Sequence, residues 1–266
     1  MSVGVGLTVG VEDGRGVLVE VAVGSGVPVG VRVPVLCAAG FSGEAHFVET
    51  SPVLRGMQQR AIPEGHWHES IADLPAAPLL LVANEFLDAL PVRQHVAGIE
   101  RRVLVAAGGL AFDRDGEIAE TSPARDEAVT AIATCLAAKG GVALFIDYGY
   151  ERSGHADTFQ AMRGHRYAPV LSDPGEQDLT AHVDFEALAS AARDAGATAT
   201  SVALQGEWLM RLGIEARAQS LSRANPDRAS EIQTALERLT SRNEMGELFK
   251  VIAIHSPDWP APAGFA

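Results

Sequence analysis

The stretch LLLVANEFLDALPVRQ, Leu79 to Gln94, decides the fold class. It opens with an unbroken apolar run, Leu79 to Ala83, which is typical of a strand buried on both faces of a helix-covered parallel sheet. Asn84 and Glu85 come directly after this run, and Asp88 follows three residues later. Because ligands bind at the carboxyl ends of strands in open α/β sheets, these three side chains are candidate ligand contacts.

From Ala45 onward the sequence alternates strand and helix patterns, which predicts an α/β fold. Short apolar runs predict the strands, whereas apolar residues at helical spacing between capping residues predict the helices. The elements of this alternation are a strand at 45–49, a helix at 51–60, the strand at 79–83, a helix at 126–139, a strand at 142–147, a helix that Asp184 caps, a strand near 197–204, three helical pieces within 206–242 and a last strand at 248–255.

Two segments in the middle of the chain interrupt the alternation. Strand-like pieces at 94–96, 101–105 and 110–113 predict a small meander. Residues 148–180 show scattered Pro, Gly and His and are interpreted as one long loop, which in a compact domain is usually functional or disordered.

The amino-terminal region has an unusual composition. Val and Gly make up more than half of the first 40 residues, and strands of this composition are flat and weakly fixed in register. We expect a single domain over 1–266, in which 1–44 is an atypical Val/Gly-rich segment, 45–256 is the well-patterned core and 257–266 is an extended tail.

Composition and charge exclude several classes of partner. The formal net charge of −13 disfavours nucleic acid, because such affinity comes from neutralising phosphates, and favours a cationic ligand or a basic protein segment. Cys37 and Cys135 stand far apart, so a disulfide framework is not indicated. No apolar run approaches the roughly 20 residues that a membrane-spanning helix needs, so we expect no membrane insertion and a cytoplasmic location.

Carboxylates follow three of the expected strands, at Glu49, Glu85 and Asp147. If these strand ends face one crevice, they form an acidic pocket. A carboxylate after the second strand of a nucleotide-binding fold grips a ribose diol, because two hydroxyl donors match two carboxylate oxygens. Glu49 stands at that position, although a carboxylate at a helix start, with Ser51 as cap, explains it equally well.

Further candidate residues carry weaker signals. The first strand should be followed by a glycine turn that lets the backbone approach a ligand, and Gly14 and Gly16 are the candidates for it, but a G-x-G pattern is expected by chance in so glycine-rich a segment. His66 and His68 alternate in HWHES, a spacing that could hold a metal ion. No acidic or Cys residue nearby completes a ligand set, so we predict a solvated loop and no metal site.

Several longer stretches together resemble the MidA-like family of S-adenosylmethionine-dependent methyltransferases. The stretches are VETSPVLRGMQQR, LVANEFLDALPVRQ, FIDYGYER, TFQAMRGHRYAPVLSDPGEQDLTAHVDFEAL and EMGELFKVIAIHSP. The resemblance implies a class I methyltransferase fold, a Rossmann-like, mostly parallel seven-stranded sheet with an antiparallel last strand and helices on both faces. It covers about 46–265, so the amino-terminal part is expected to be degenerate or truncated.

The resemblance also implies S-adenosyl-L-methionine as cofactor and an arginine of a protein as substrate, such as a subunit of respiratory NADH dehydrogenase. Gly14 and Gly16 would be what remains of the family's glycine-rich cofactor loop, and Glu49 would bind the cofactor ribose. Asn84 and Glu85 would face the methyl group and the incoming nucleophile. A homodimer is a further possibility.

The chemistry of this reaction suits the acidic residues. The methyl donor is a sulfonium cation and a guanidinium stays protonated in water, so carboxylates favour both partners. Glu85 and Asp88 could hold the guanidinium through bidentate hydrogen bonds, although a turn-capping role before Ala89 is the favoured interpretation of Asp88. One alternative is an inactive binding or assembly module on the same fold. A dinucleotide-dependent oxidoreductase ranks last, because no G-x-G-x-x-G follows the first strand.

Overall fold

The computed structural model describes residues 17–21, 44–164 and 166–265. Its strands are β1 (Val17–Val21), β2 (Glu44–Val48), β3 (His66–His68), β4 (Leu79–Asn84), β5 (Arg93–Val96), β6 (Ile99–Glu100), β7 (Val103–Ala106), β8 (Gly109–Phe112), β9 (Ile118–Thr121), β10 (Gly141–Tyr150), β11 (Gln160–Arg163), β12 (Arg166–Ala168), β13 (Asp178–Thr180), β14 (Val183–Asp184), β15 (Thr198–Ala199), β16 (Ala203–Leu204) and β17 (Phe249–His255).

The α-helices are α1 (Pro52–Ala61), α2 (Pro123–Lys139), α3 (Phe185–Asp194), α4 (Gln205–Arg211), α5 (Ile214–Ala224), α6 (Ala229–Thr240) and α7 (Met245–Leu248), with short 3-10 turns at Ile71–Asp73 and Pro226–Arg228. The first six α-helices match the expected positions to within a few residues, whereas α7 was not expected and includes Leu248, the predicted start of the last strand. Ser51, Ser122 and Asp184 cap α1, α2 and α3, because the side chain of each accepts a backbone N–H of the first turn.

A central sheet with the strand order β3-β2-β1-β4-β10-β17-β15 organises the molecule. Neighbouring strands are parallel from β3 to β10, whereas β17 runs antiparallel to both β10 and β15. The two-residue strands β14 and β16 extend this sheet beside β10 and β17. The expected mostly parallel seven-stranded sheet with an antiparallel last strand is confirmed.

The unbroken apolar runs are explained by burial on both sheet faces. In β10, Ala143 and Phe145 face one core cluster, which packs against α2 and α3. Val142 and Leu144, on the opposite face, belong to a second cluster with Trp208 of α4 and its neighbours. Because successive strand residues point to opposite faces, a strand covered by helices on both sides needs apolar residues at every position.

The segment 148–180 differs from its prediction as one long loop. β10 continues to Tyr150, and β11 pairs antiparallel with both β12 and β13 in a separate three-stranded sheet. These strands are three or four residues long and carry polar residues, so no apolar run or regular alternation announces them. The expected meander is instead two units, a sheet of β6-β5-β9 and a β7-β8 hairpin.

β1 occupies the middle of the sheet, with β2 on one side and β4 on the other. The predicted glycine turn, Gly14 and Gly16, lies outside the described residues and precedes β1 in the chain. The turn was expected to follow the first strand, and this order is wrong for Gly14 and Gly16, because the central strand β1 begins only at Val17. Contact of these glycines with a cofactor is not tested. Within the described ranges, no helix has both the length and the apolar character that crossing a bilayer requires.

Candidate functional site

The register of the sheet brings the predicted acidic residues to one edge. Val21 pairs with Val48 on one side and with Ala83 on the other, so Glu49 and Asn84 continue from the same level of the sheet. They lie two strand spacings apart, about 10 Å along the edge. This is the carboxyl edge of the parallel strands, where α/β folds place their ligands.

Glu49 is buried and linked to α1 through both carboxylate oxygens. Its Oε1 accepts the backbone N–H of Ser51 at 2.8 Å, and its Oε2 accepts the side-chain amide of Gln58 at 3.1 Å. Trp67 donates its indole N–H to the Gln58 amide oxygen at 3.0 Å. These contacts hold the carboxylate in place, and each oxygen keeps a lone pair for a further donor. Ribose binding by Glu49 stays a prediction.

Glu85 combines an unusual backbone conformation with an acidic environment. Its φ of 49° lies in the left-handed region, which costs a residue with a Cβ roughly 1–2 kcal/mol. Its backbone N–H donates to Ile146 O at 2.9 Å, and its Oε1 accepts the Asn84 amide at 3.1 Å. Burial raises the pKa of Glu85, and the neighbouring Asp88 and Asp178 raise it further. Strained residues of this kind cluster at active sites.

Asp147 holds the turn that carries Glu85, rather than lining the crevice. It is 1% exposed, and its Oδ2 accepts the backbone N–H groups of Leu87 at 2.9 Å and Asp88 at 3.2 Å. Its other oxygen accepts the N–H of Tyr148 at 3.0 Å. Burial raises the pKa of Asp147 well above its ordinary value. The expected acidic pocket of three carboxylates is therefore wrong for Asp147, because the turn after β4 covers this side chain.

Asp88 is buried beside Tyr148, and its backbone is tied to a second loop. Only 4% of the residue is exposed, and its Oδ1 has no hydrogen-bond partner in the described part of the chain. Burial raises the pKa of Asp88, whereas hydrogen bonding to Tyr148 opposes that shift. The pKa of Tyr148 is raised by its own burial and by Asp88. Contact between Asp88 and the substrate stays a prediction. Because Asp88 is buried, a substrate group would have to enter the protein interior to reach it.

Arg125 is the residue of this region that the sequence analysis missed. It is 5% exposed, and its guanidinium donates to the backbone carbonyls of four residues on two loops. These carbonyls are Leu87 O at 2.7 Å, His182 O at 2.7 Å, Ala181 O at 2.8 Å and Asp88 O at 3.4 Å. Burial lowers the pKa of Arg125, and the carboxylates of Asp147 and Asp88 oppose this.

A signal for Arg125 was present in the sequence. Along α2 it precedes Val129, Ile132 and Leu136 by four, seven and eleven residues, a spacing that places all four on the buried face of the helix. A charged residue on an apolar face needs buried partners, because burying an unpaired charge is costly.

The arrangement as a whole is an acidic recess at the sheet edge. Glu85 lies at its surface, while Asp88 contributes negative charge from beneath it. Glu49 lies two strands away. Such a site attracts cations and positions a planar donor group, and no side chain that the structure describes at this edge supplies a strong nucleophile.

Comparison with known proteins relates the chain to methyltransferases. The model of a family described as putative S-adenosyl-L-methionine-dependent methyltransferase matches residues 40–109 and 101–203. Together these ranges cover more than half of the chain, and the resemblance seen in the sequence is confirmed.

Curated relatives match most of this chain at about 30% identity. A mitochondrial protein arginine methyltransferase NDUFAF7 homolog of Caenorhabditis elegans is 30% identical over 234 residues, 77% of this chain and 54% of that protein. The mitochondrial protein arginine methyltransferase NDUFAF7 of Danio rerio is 32% identical over 213 residues, 71% of this chain and 50% of that protein. The chain thus spans about half the length of the curated relatives it matches.

Two crystal structures from Burkholderia thailandensis share the fold, each at 29% identity. A native structure superposes with a TM-score of 0.83 and covers 95% of this chain and 77% of that chain. A structure bound to S-adenosyl-homocysteine gives a TM-score of 0.82 and covers 95% of this chain and 74% of that chain.

The predicted cytoplasmic location is wrong. Both curated relatives named above are mitochondrial proteins by name. Composition and charge determine which partners a chain attracts, but they do not distinguish one compartment from another, so the prediction had no physical basis beyond the missing apolar run.

Proposed function

We propose that this chain, which belongs to the S-adenosyl-L-methionine-dependent methyltransferase family whose model it matches, transfers a methyl group from S-adenosylmethionine to a protein arginine. The observation that carries the proposal is the position of Glu85. An acidic side chain on a strained turn stands at the carboxyl edge of the sheet, beside Asn84 and above the buried Asp88.

The cofactor is proposed to lie across the carboxyl ends of β2, β1 and β4. Glu49 would accept the two ribose hydroxyls through the lone pairs that Ser51 and Gln58 leave free. Gly14 and Gly16 precede β1 in the chain, whereas the carboxyl end of β1 is Val21, so the proposal does not rest on these two glycines. The cofactor supplies the reactive methyl as a sulfonium, so the protein has to align the two partners and keep water away.

The substrate arginine is proposed to enter beside Glu85. Its guanidinium carries a positive charge and five N–H donors, which match the carboxylate of Glu85 and the amide oxygen of Asn84. Asp88, whose Oδ1 has no partner within the described residues, adds negative charge below them and would accept a donor that reaches it. A basic segment of the substrate protein suits the net charge of −13.

The substrate protein is proposed from the family resemblance to be a subunit of respiratory NADH dehydrogenase. The names of the curated relatives as protein arginine methyltransferases agree with an arginine target. The alternative of an inactive assembly module is less favoured, because β1 fills the central position of the sheet although the amino-terminal part was expected to be degenerate.

Calorimetry with S-adenosyl-homocysteine tests cofactor binding. We expect binding to the full chain and a loss of at least about tenfold in affinity for Glu49→Ala, since that is the size of one lost charge-assisted contact. Glu64→Ala, at an exposed position outside the sheet edge, is the control and should bind normally. Absence of binding by the unmodified chain would contradict the proposal.

Mass spectrometry of an arginine-containing peptide tests the transfer step. Glu85→Gln should abolish peptide methylation while cofactor affinity stays within about twofold, because Glu85 is assigned to the substrate and not to the cofactor. Equal methylation by Glu85→Gln and the unmodified chain would remove Glu85 from the proposed role. A lysine analogue of the same peptide is the control for side-chain specificity.

A further inference from the structure

The outer edge of the central sheet carries three stacked histidines. β2 and β3 pair in parallel with His46 opposite His66 and Val48 opposite His68. The ring of His46 therefore lies between two others, with centroid distances of 4.8 Å to His66 and 5.1 Å to His68. The predicted solvated loop at HWHES is wrong, because pairing with β2 makes this segment a strand.

His46 has one occupied ring nitrogen and one without a hydrogen bond. Its Nδ1 lies 2.8 Å from Nε2 of His68. Its Nε2 is buried and forms no hydrogen bond with the described residues, and the nearest charged atom is a carboxylate oxygen of Glu44 at 3.5 Å. Since a buried ring nitrogen is normally paired, this atom needs an explanation.

The two nitrogens fit the pattern of a metal-ligating histidine. Such a residue usually binds the ion with one nitrogen and donates the N–H of the other to a nearby acceptor, which fixes the tautomer. Here Nδ1–H would donate to His68, and the lone pair of Nε2 would face Glu44 and His66. Burial, with the neighbouring His66 and His68, lowers the pKa of His46, which favours the neutral form that a metal requires.

We propose that Glu44, His46 and His66 bind a zinc ion. One ligand atom from each of the three lies within 4.8 Å of the others. Tetrahedral zinc with bonds near 2.0–2.1 Å needs separations of about 3.4 Å, so the side chains must move closer. Glu44 and His66 are exposed and free to do so, whereas His46 is fixed by burial. Two imidazoles and one carboxylate form a ligand set that zinc accepts, with a position left for water.

An ordinary hydrogen bond from His46 to Glu44 is the competing explanation. In that tautomer His68 donates to Nδ1 of His46, and Nε2–H points to the carboxylate. The separation of 3.5 Å is longer than the 2.7–3.2 Å of a normal N–H···O bond. This hydrogen bond also gives His66 no role, although its ring stacks on that of His46. The two explanations differ in whether the protein binds zinc in a one-to-one ratio.

The ion would fasten the edge of the sheet. β3 is only three residues long and pairs with β2 alone. The last backbone bond between the two strands joins the N–H of Glu49 to His68 O at 3.1 Å. A metal bridge from β2 to β3 would stabilise the strand pair that ends at Glu49. This inference does not depend on the proposed methyl transfer.

Zinc titration of the chelator-treated, tag-free full chain tests the site. We expect one zinc ion per chain by calorimetry and an increase in the midpoint of thermal unfolding on adding zinc. Glu44→Gln and His66→Ala should each weaken binding by at least about tenfold, and His68→Ala by about 10–100-fold through loss of the acceptor. Both Glu44 and His66 are exposed, so these two variants are expected to fold.

His155→Ala is the matched control. His155 is exposed and lies 3.9 Å from the carboxylate of Glu117, but the described part of the chain offers this pair no third ligand. Its substitution should leave zinc affinity unchanged. Magnesium should not bind, because it prefers oxygen ligands. Failure to bind one zinc ion per chain, or equal affinity in His66→Ala and the unmodified chain, overturns the proposal.

Discussion

Replacement of Arg125 by methionine tests whether a buried guanidinium holds the turn that carries Glu85. Methionine has a similar length and fills the space between α2 and the two loops, but it donates no hydrogen bond. Three backbone carbonyls would lose donors at 2.7–2.8 Å, and the carboxylates of Asp147 and Asp88 would lose the nearest buried positive charge.

The expected cost is large for a single substitution. Each hydrogen bond to a charged group contributes about 1.5–3 kcal/mol, so three give an upper limit of roughly 9 kcal/mol. Water entry and the apolar contacts of methionine reduce this. Breaking a buried charged network by removing one partner costs about 3–5 kcal/mol, and we expect a loss near 4 kcal/mol in the free energy of unfolding. A domain with a total stability of about 5–15 kcal/mol tolerates that loss.

Urea unfolding followed by tryptophan fluorescence measures this difference. The transition midpoint should fall while its slope stays the same, because the surface exposed on unfolding is unchanged. Arg152→Met is the control, since Arg152 pairs with Glu186 at 2.9 Å but its side chain is 85% exposed. If the two variants unfold at the same urea concentration, the buried network does not stabilise the turn. Arg125→Lys should lie between the two, because one ammonium cannot reach all four carbonyls.

Three further substitutions test the environment of Glu85 and the backbone at two glycines. Because burial raises the folded-state pKa of Glu85, its ionised form destabilises the fold as pH rises through that pKa. Glu85→Gln should therefore raise the urea midpoint at pH 7 while it abolishes peptide methylation. A lower midpoint would contradict this. Because the pKa of Glu85 is raised, binding of an arginine peptide should weaken as pH falls through a value above the ordinary glutamate range, and Glu85→Gln, measured by peptide binding, should lack that pH dependence. Gly141→Ala should cost about 3 kcal/mol or more, because φ is +118° and a Cβ would collide with Leu79 O. Gly56→Ala, with open space in α1, should instead stabilise by up to about 1 kcal/mol in the same unfolding assay.

The central sheet could be predicted because strands that are buried on both faces need apolar residues at successive positions. β4 and β10 are covered by helices on both faces, so each appears as an unbroken apolar run. β11, β12 and β13 form a small sheet with polar, partly exposed residues. Nothing in their composition distinguishes them from a loop. The prediction therefore succeeded where helices cover both faces and failed where a short sheet lies partly in solvent.

Only those residues of the candidate site that directly follow a recognisable strand could be predicted from the sequence. Glu49 and Glu85 follow recognisable strands, so the topology alone brings them to one edge. The partners of Arg125 are backbone carbonyls, which every residue has, so no sequence motif identifies them. The pairing of His46 with His66 depends on the register between β2 and β3, which their short sequences do not specify.

Burial divides the strand-end carboxylates into two kinds. Glu85 follows β4, whereas Asp147 lies inside β10 next to the end of β4, where the turn after β4 folds over it and supplies two backbone donors to it. Glu85, on the outer side of that turn, accepts the amide of Asn84 and no other donor from the described residues. A carboxylate whose oxygens are taken by backbone N–H groups has a structural role, whereas one with free lone pairs can accept a ligand. By this criterion Glu85 can accept a ligand. Asp147 and Arg125 maintain its strained backbone, because they hold the turn in the conformation that directs the free carboxylate outward.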